Sequence, residues 1–395
     1  MSRRLRPLLL AAAAASSLVL AAPAWGAEGA GDAAFKALYS REWTWRRAEL
    51  AGEVGEDDTD RITDHLPKID PAAQKARLDY WTGVMAEVSR IDPATLSPEA
   101  RINHQIYREQ IQVLINQQKF RDYEKPLNGD SAFWSDLTSE SRESFRDVAE
   151  YERYIRQMRD FPRYFHDQVA NMRAGLKRGF TPPAIVLKGR DASIASVSGA
   201  AGEANPYYRP FKAMPASIPA ADQARLRAEG LAAIQASVIP AYAELLTFMR
   251  SEYLPKARTV LAAETLPDGK AYYQSKIKEF TTTDMTADQI HQLGLAEVAK
   301  IHAQMLEVMK ETDFKGDFPA FLTFLRTDPQ FYAKTPQELL NHAAWISKRV
   351  DGQIGKIIGT LPRGRFTIVP VPPAIAPFWT AGRGGAGTLG EHLRP

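Results

Sequence analysis

The seven histidines are the side chains in this sequence best suited to hold a metal ion. The zinc helix of many metallopeptidases has the pattern His-Glu-x-x-His, because two imidazoles must reach one ion and the glutamate must activate its water. None of the seven histidines begins that pattern. His291 and His302 share a helix face, but they are separated by roughly 16 Å along the axis of a helix, too far for one ion. The residues therefore assign no catalytic group, no metal ligand and no cofactor to this chain.

Other catalytic motifs are missing from the sequence or lack their structural context. There is no Gly-x-Ser-x-Gly segment for a serine nucleophile and no phosphate-binding loop that ends in Gly-Lys. Residues 382–387 match the dinucleotide pattern Gly-x-Gly-x-x-Gly. Too few residues follow them to build the helix and second strand that such a site requires. The absence of cysteine excludes disulfides, thiolate zinc sites and cysteine nucleophiles.

Aromatic and basic side chains are candidates for ligand binding rather than for catalysis. Phe378, Trp379 and Arg383 are the candidates for the rim of a cleft, because apolar rings and a guanidinium suit a peptide-like or carboxylate ligand. The alternative for these three is a frayed, glycine-rich tail. Aromatic residues at helical spacing more often belong to a core than to a groove. The four tryptophans that could either line a groove or belong to the core are Trp43, Trp45, Trp81 and Trp345.

The composition is typical of a globular protein and predicts no nucleic-acid partner. The chain of 395 residues is 45% hydrophobic and 25% charged, which excludes a disordered or fibrous protein. Its formal net charge of +3 becomes zero if Arg3, Arg4 and Arg6 are left out. Interleaved charges, such as those of residues 41–47, are expected on solvated helix faces. A nucleic-acid-binding protein would need a clustered basic face instead.

The first 26 residues have the pattern of a secretory signal peptide. A basic start is followed by an apolar run from Leu8 to Leu20, and small residues at Ala24 and Gly26 predict cleavage before Ala27. The apolar run is short for a bilayer span, and no later stretch is expected to cross a membrane. We therefore expect a periplasmic or secreted protein with no transmembrane anchor after signal removal.

Hydrophobic spacing predicts a mainly α-helical domain over residues 27–364, with the helices arranged as a bundle-like array. Its clearest apolar seam alternates steps of four and three residues, as expected for a helix that packs against a partner helix. The seam consists of Tyr151, Ile155, Met158, Pro162, Phe165, Val169, Met172 and Leu176. No internal repeat of fixed period is found, so a solenoid is not supported.

Local signals predict where several helices begin, bend or end. Ser97 and Thr335 each precede a proline, and a capping hydroxyl followed by proline is a common helix start. Thr335 is also followed by a glutamate three residues later, as in a capping box. Pro162 and Pro240 are expected to kink or interrupt the helices that contain them.

A few short β-strands and a tail complete the predicted fold. Ala184 to Leu187 is one strand candidate, and Phe366 to Val371 is another. A strand needs a neighbour for its backbone groups, and these two could pair. Residues 195–219 are predicted to form a long loop. Residues 365–395 are predicted to be a partial strand followed by a proline- and glycine-rich tail that stops abruptly.

Several segments resemble one bacterial family of exported proteins, known as domain of unknown function 885. The strongest similarity lies in three neighbouring segments, residues 266–274, 280–286 and 289–298. Shorter similarities lie at residues 172–175, 179–183 and 381–388. The resemblance covers roughly residues 33–388, and the block around residues 280–298 is its most specific part.

The resemblance implies a relative of the zinc peptidases with a zincin-like fold. In such enzymes a zinc-activated water attacks a peptide-like carbonyl with a glutamate as the base. Family members continue into a helix of the form His-Glu-x-x-Pro-Gly-His and later to a glutamate ligand. After Thr388 this sequence departs from that pattern, because Glu391-His392 reverses the order and no second histidine follows. No metal or catalytic position carries over to this chain.

Two functions follow from these observations. In the first, the chain is the exported helical part of a zinc-peptidase-like protein, cut short by a frameshift or early stop and inactive alone. Zinc would then belong to full-length relatives only. In the second, it is a complete periplasmic binding or adaptor module, whose helical groove holds a peptide, a glycan or a protein partner. Whether the chain is an enzyme stays open at this point.

Overall fold

Helices make up the secondary structure of the protein. The computed structural model describes residues 29–50, 63–129, 131–141, 144–361 and 367–370. The helices are α1 (Asp32–Glu49), α2 (Pro71–Val88), α3 (Pro98–Phe120), α4 (Phe133–Glu140), α5 (Val148–Arg178), α6 (Ala184–Leu187), α7 (Asp191–Ser198), α8 (Arg209–Lys212), α9 (Ala220–Ala233), α10 (Ile239–Phe248), α11 (Leu254–Lys256), α12 (Gly269–Thr281), α13 (Ala287–Glu311), α14 (Phe318–Thr327) and α15 (Pro336–Asp351). The prediction of a mainly α-helical fold is confirmed.

The predicted short strands are not found. Ala184 to Leu187 forms helix α6 instead, so this strand prediction is wrong. The carbonyl of the preceding Pro183 accepts a hydrogen bond from the Val186 N–H at 3.1 Å, which closes the first turn of α6. Residues 367–370 of the second candidate are not in a strand, and its ends lie outside the described residues. Within those residues the one β-type pairing is an isolated bridge between Leu127 and Ala132.

The loop predicted for residues 195–219 is only partly correct. Helix α7 reaches Ser198, and α8 occupies Arg209–Lys212. The single-turn 3-10 helix Pro206–Tyr208 lies just before α8. Tyr207 and Phe211 are fully buried, so contacts with the core give this glycine- and alanine-rich segment a helical conformation that its composition does not indicate.

The chain divides into two compact units, Met1–Ala287 and Asp288–Pro395. We call them the first and the second unit. The domain boundaries expected after residues 26 and 364 lie outside the described residues. The division into a signal segment, a helical domain and a tail therefore stays a prediction.

Helix α5 is the central element of the main core of the first unit. It begins where Asp147 accepts a hydrogen bond from the Glu150 N–H at 3.0 Å, and it ends at Gly179, which has a φ of 77°. Pro162 lies inside this single helix, so the helix is not interrupted there. The predicted apolar seam is confirmed by its buried members, Tyr151, Ile155, Met158, Phe165, Val169 and Met172.

Helices α9, α10 and α11 form one apolar run, Ala220–Lys256, which contains two π-helical turns. These turns, Ile234–Val238 and Met249–Tyr253, directly precede the segments that contain Pro240 and Pro255. A proline in a helix donates no N–H and clashes with the carbonyl four residues earlier. In both cases that carbonyl lies within the π turn, whose wider spacing accommodates the ring. The interruption predicted at Pro240 therefore takes the form of a π turn within a continuous helical run.

The run Ala220–Lys256 is the one described helix long and apolar enough to cross a membrane. The expectation that no later stretch meets this criterion is therefore wrong. Val238, Tyr242 and Leu245 of this run are fully buried in the main core of the first unit. A helix whose apolar face packs on other helices in this way is typical of a protein core.

A second, smaller core joins helices α1, α2 and α3. Phe35, Trp81, Val88 and Ile111 are among its buried members. The helix start predicted at Ser97 is confirmed, because its hydroxyl accepts a hydrogen bond from the Ala100 N–H at 3.3 Å and α3 begins at the following proline. This cluster holds α1 against α3 and so positions the groove described below.

The second unit contains little buried apolar surface among its described residues. Phe321, at 5% exposure, is the one buried residue of this described part. Its ring lies 5.1 Å from that of Phe314. The helix start predicted at Thr335 is confirmed, because the Thr335 hydroxyl accepts from the Glu338 N–H at 3.1 Å. The Glu338 carboxylate accepts from the Lys334 N–H at 2.7 Å rather than from the Thr335 N–H that a capping box would use.

Candidate ligand-binding groove

An open groove of about 610 Å³ lies between helices α1 and α3. Phe35, Tyr39 and Trp43 follow one another at four-residue steps along α1. Each such step rotates the side chain by about 40° around the helix, so Phe35 lies in the core while Tyr39 and Trp43 are 37% and 42% exposed. Ile106, which is also exposed, lines the groove from α3. The groove therefore presents two aromatic rings and an aliphatic side chain to solvent.

The floor of the groove contains a buried carboxylate. Glu42 is 1% exposed. It accepts two hydrogen bonds from Arg46 at 2.8 Å, one from the Trp81 indole at 3.0 Å and one from the Tyr107 hydroxyl at 3.4 Å. Burial, and then the charge of Glu42, raise the pKa of Tyr107 well above its usual range. These contacts fix the positions of Glu42 and Arg46, and they neutralise most of the charge at the floor.

Polar side chains surround the aromatic wall of the groove. Ser40 on α1 and Asn103 and Gln110 on α3 line it. Amide and hydroxyl groups both donate and accept hydrogen bonds. The Arg46 guanidinium lies 5.7 Å from the centre of the Trp43 ring. A ligand that combines apolar groups with neutral hydrogen-bonding groups fits this arrangement.

The local sequence does not predict that Glu42 is buried, because its neighbours are charged and the segment has the pattern of a solvated helix face. Only its position in α1 distinguishes it, since Leu38 lies four residues earlier and is also buried. The donors Trp81 and Tyr107 lie far away in the sequence. No local signal therefore identifies the partners of this carboxylate.

The four tryptophans considered as groove residues separate into different environments. Trp43 lines the groove, whereas Trp81 is buried in the small core beneath it. Trp45 stacks on Tyr80 with ring centres 3.7 Å apart. Trp345 is exposed on α15 in the second unit. One of the four therefore belongs to the groove.

The other predicted site residues lie outside the described residues. This applies to the suggested cleft rim, formed by Phe378, Trp379 and Arg383, and to the suggested cleavage site between Gly26 and Ala27. These assignments stay predictions.

The described histidines do not form a site that fits the zinc ion implied by the family resemblance. Across the described ranges, no group of three or more histidine, cysteine, aspartate or glutamate side chains is placed to hold a metal. His104 is buried and pairs with the Val88 carbonyl at 2.9 Å. His302 packs edge-on against Phe318 with ring centres 4.8 Å apart. We therefore derive no chemical step through zinc.

Two of the segments that carry the family resemblance meet in a small aromatic cluster of the first unit. Phe180, from residues 179–183, and Tyr272, from residues 266–274, have ring centres 5.4 Å apart and an interplanar angle of 81°. Leu266 and the α3 residue Phe120 pack on the same cluster. The ends of α3 and α5 and the start of α12 are thereby joined.

Charged side chains surround this aromatic cluster. The Arg178 guanidinium lies 4.7 Å from the centre of the Phe180 ring, and the Lys125 ammonium lies 5.5 Å from it. Burial lowers the pKa of Lys125, and burial raises the pKa of Tyr272 to about 12. Lys276 pairs with Asp122 at 2.9 Å. Because the Phe180 ring at the centre is fully buried, this cluster is a packing junction rather than a cleft.

Comparison with known proteins places the chain in a family and relates its fold to a larger protein. The crystal structure of a protein from Colwellia psychrerythraea, described as a lipoprotein, has the same fold with a TM-score of 0.71 and 18% sequence identity. The match covers 87% of this chain and 63% of that one, so this chain spans less than two thirds of its length. No curated protein matches. The family model described as bacterial protein of unknown function, DUF885, matches residues 49–394. This chain therefore belongs to the DUF885 family.

Proposed function

We propose that this chain is an exported, zinc-peptidase-like protein that binds a peptide-like ligand in the groove between α1 and α3. The observation that carries the proposal is the pair of exposed rings, Tyr39 and Trp43, held above the buried network of Glu42. Solvent-exposed aromatic rings on a rigid helix provide large contact areas at low cost in side-chain entropy.

The size and polarity of the groove support a short peptide. A volume of about 610 Å³ lies within the usual range for small-ligand sites. The peptide backbone offers alternating donors and acceptors, which the side-chain amides of Asn103 and Gln110 can pair with. Because Arg46 is already held by Glu42, the floor offers little net charge. A peptide with blocked ends is therefore expected to bind at least as well as one with a free carboxylate.

The proposed export and peptidase-like relationship rest on two further observations. The first 26 residues have the charge and apolar pattern of a signal peptide, and the Colwellia psychrerythraea protein with the same fold is described as a lipoprotein. The segments around residues 266–298 resemble a zinc-peptidase-like family. We propose binding without turnover, since the sequence contains no His-Glu-x-x-His helix.

Isothermal titration with the blocked tetrapeptide acetyl-Ala-Leu-Phe-Ala-amide tests the proposal. We expect saturable binding at one site per chain, weakened at least tenfold by Trp43→Ala and by Asn103→Ala. Trp345→Ala is the matched control, because this exposed tryptophan lies in the second unit, and it should leave the affinity unchanged.

Three results would contradict the proposal. The first is an absence of peptide binding. The second is binding of an N-acetylglucosamine tetramer in place of the peptide, which would assign the groove to a glycan. The third is stoichiometric zinc in the purified chain together with hydrolysis of the tetrapeptide, which would make the protein a metallopeptidase.

A further inference from the structure

Helices α1 and α3 run in the same direction on the two sides of the groove. At their starts, the Asp32 carboxylate accepts a hydrogen bond from the Ser97 N–H at 2.9 Å. Further along, the Glu42 carboxylate accepts a hydrogen bond from the Tyr107 hydroxyl at 3.4 Å. Both contacts join residues that are 65 apart in the sequence. The level of each groove residue along the two axes therefore follows from the helical rise of about 1.5 Å per residue.

Two amide side chains lie beyond the two ends of the aromatic pair. By helical rise, Asn103 lies about 1.5 Å before the level of Tyr39, and Gln110 lies about 3 Å beyond the level of Trp43. The two amides are thus about 10.5 Å apart along the groove. Within the described part of the chain, neither amide side chain has a hydrogen-bond partner. Both can donate to and accept from a bound ligand.

The spacing of these groups matches that of an extended peptide. Tyr39 and Trp43 are four residues apart, which places them about 6 Å apart along α1. In an extended chain, side chains two residues apart lie on the same side and are separated by about 6.6 Å. Three residue steps of such a chain span about 10 Å, close to the distance between Asn103 and Gln110. A segment of four residues therefore places two alternate side chains on the rings and its two ends at the amides.

The cross-section of the groove favours an extended ligand over a helical one. Side chains four residues apart in a helix would also be separated by about 6 Å. The groove volume of about 610 Å³, spread over a length of about 10.5 Å, gives a cross-section of roughly 60 Å². A strand occupies about 48 Å², from its spacings of about 4.8 Å and about 10 Å. A helix about 10 Å or more in diameter occupies about 80 Å² or more, so the groove has room for the strand only.

We propose that the groove binds an extended peptide segment of four residues in which two apolar side chains lie two positions apart. One apolar side chain packs on Tyr39 and the other on Trp43, while the backbone near the two ends of the segment pairs with Asn103 and Gln110. The two alternate side chains point away from the rings, so their types matter little. This inference rests on the proposed function and adds the conformation and the sequence pattern of the ligand.

Three blocked peptide isomers of one composition test this pattern by isothermal titration. Acetyl-Ala-Leu-Ala-Phe-Ala-amide has its two large apolar residues two positions apart. Acetyl-Ala-Leu-Phe-Ala-Ala-amide has them adjacent, and acetyl-Leu-Ala-Ala-Ala-Phe-amide has them four positions apart. The first isomer should bind about tenfold or more tightly than either of the others, because it alone covers both rings when extended. Since the three isomers have the same composition, overall apolarity cannot cause this difference.

Variants of the two rings test where the apolar side chains bind. Tyr39→Ala and Trp43→Ala should each abolish the preference for the first isomer, because one ring can take only one side chain. The matched control is Tyr273→Ala, since Tyr273 is 44% exposed on α12 of the first unit and does not line the groove. This control should keep the preference. Circular dichroism should show the helical content of the wild type in all three variants, because the removed rings are partly exposed.

The possible results separate this inference from the proposed function. Equal affinities of the three isomers, together with weaker binding by Trp43→Ala, would overturn the extended pattern and leave the peptide-binding groove in place. A preference that survives Tyr39→Ala and Trp43→Ala would overturn it as well. Tightest binding of the isomer with four-residue spacing would assign the groove to a helical ligand instead. No binding of any isomer would contradict both the inference and the proposed function.

Discussion

Glu42 is a buried charge whose partners come from its own helix and from two other helices. Arg46 lies on the next turn of α1, whereas the Trp81 indole and the Tyr107 hydroxyl reach it from α2 and α3. A buried ion pair contributes little net stability when it is intact, but loss of one partner leaves the other charge uncompensated. Glu42 therefore couples the stability of the three-helix cluster to the shape of the groove.

The first prediction at this scale concerns the Glu42 carboxylate. Glu42→Ala should lower the free energy of unfolding by about 3 kcal/mol, because Arg46 and the Trp81 indole lose their shared acceptor. Urea denaturation followed by circular dichroism measures this change. The control is Glu87→Ala, which removes an ion pair to Arg41 whose two side chains are about half exposed, and it should cost less than about 1 kcal/mol. Equal losses in the two variants would contradict the account of Glu42.

The second prediction concerns pH and the buried tyrosines of the main core. Burial raises the pKa of Tyr242 to about 12, from a usual value of 10.0. The folded state therefore favours the neutral phenol, so its stability is complete below pH 10 and falls as the pH rises toward 12. The expected loss is about 1.4 kcal/mol per pH unit for each such tyrosine.

Tyr242→Phe separates the pH-dependent contribution of the Tyr242 phenol from that of the other buried tyrosines. The variant should be about 1 kcal/mol less stable at pH 8, because the Tyr242 hydroxyl donates to the Trp134 carbonyl at 2.9 Å and is 2.7 Å from the Tyr207 hydroxyl. Between pH 10 and pH 11, however, the free energy of unfolding should fall less in the variant than in the wild type. The difference should be about 1 kcal/mol, because the variant lacks one titrating tyrosine. Urea midpoints at each pH measure both effects. Parallel losses in the two proteins over that interval would show that Tyr242 does not titrate as described.

At the scale of elements, two helical glycines predict opposite effects of the same substitution. A Cβ on Gly175, in α5, would lie 2.5 Å from the Glu124 carbonyl oxygen and 3.1 Å from that of Phe180. Gly175→Ala should therefore destabilise the protein by about 2 kcal/mol. A Cβ on Gly83, in α2, would meet nothing within 4 Å, so Gly83→Ala should stabilise the protein by about 0.5 to 1 kcal/mol through helix propensity. Thermal unfolding of both variants tests the contrast, and a stabilising Gly175→Ala would refute the close approach.

The elements that the sequence predicts correctly are those with local causes. The caps at Ser97 and Thr335 depend on side chains within three residues of the helix start. The seam of α5 depends on a regular apolar period from Tyr151 to Leu176. Helix α6 has no such period, and its four residues depend on the preceding proline and on the fully buried Leu187. Short segments of this kind follow tertiary contacts, which a strand propensity does not contain.

The candidate groove could be predicted only in part for the same reason. Trp43 was among the aromatic residues considered, because exposed rings are typical of binding sites. Its selection over Trp45 and Trp81 requires the packing of α1 on α3, which joins Glu42 to Tyr107 across 65 residues of sequence. The family resemblance does not predict the groove, since two of the segments that carry it meet at the junction of Phe180 and Tyr272 instead.

At the scale of the whole molecule, the two units differ in how much apolar surface they bury. Helix α5 buries fourteen of its residues, whereas α13 and α15 bury none. Helical stability in proteins comes mainly from the packing of an apolar face. The second unit should therefore open locally at much lower free energy than the core of the first unit.

Hydrogen exchange of the chain alone measures this difference. Amides of α5 and α10 should exchange at least a hundredfold more slowly than those of α13 and α15. The amides in the first and last turns of α13 serve as an internal reference for fraying. Equal protection of α5 and α13 would contradict this difference between the two units.

Fluorine NMR of the chain labelled with 5-fluorotryptophan is the most direct test of the proposed binding function. The tryptophans give separate probes, and Trp43→Phe assigns the signal of Trp43 by its loss. Addition of acetyl-Ala-Leu-Phe-Ala-amide should shift the Trp43 signal saturably and leave those of the buried Trp134 and of Trp345 unchanged. A Trp43 signal that stays in place while the peptide binds elsewhere, or while no signal moves, would contradict a peptide-binding groove between α1 and α3.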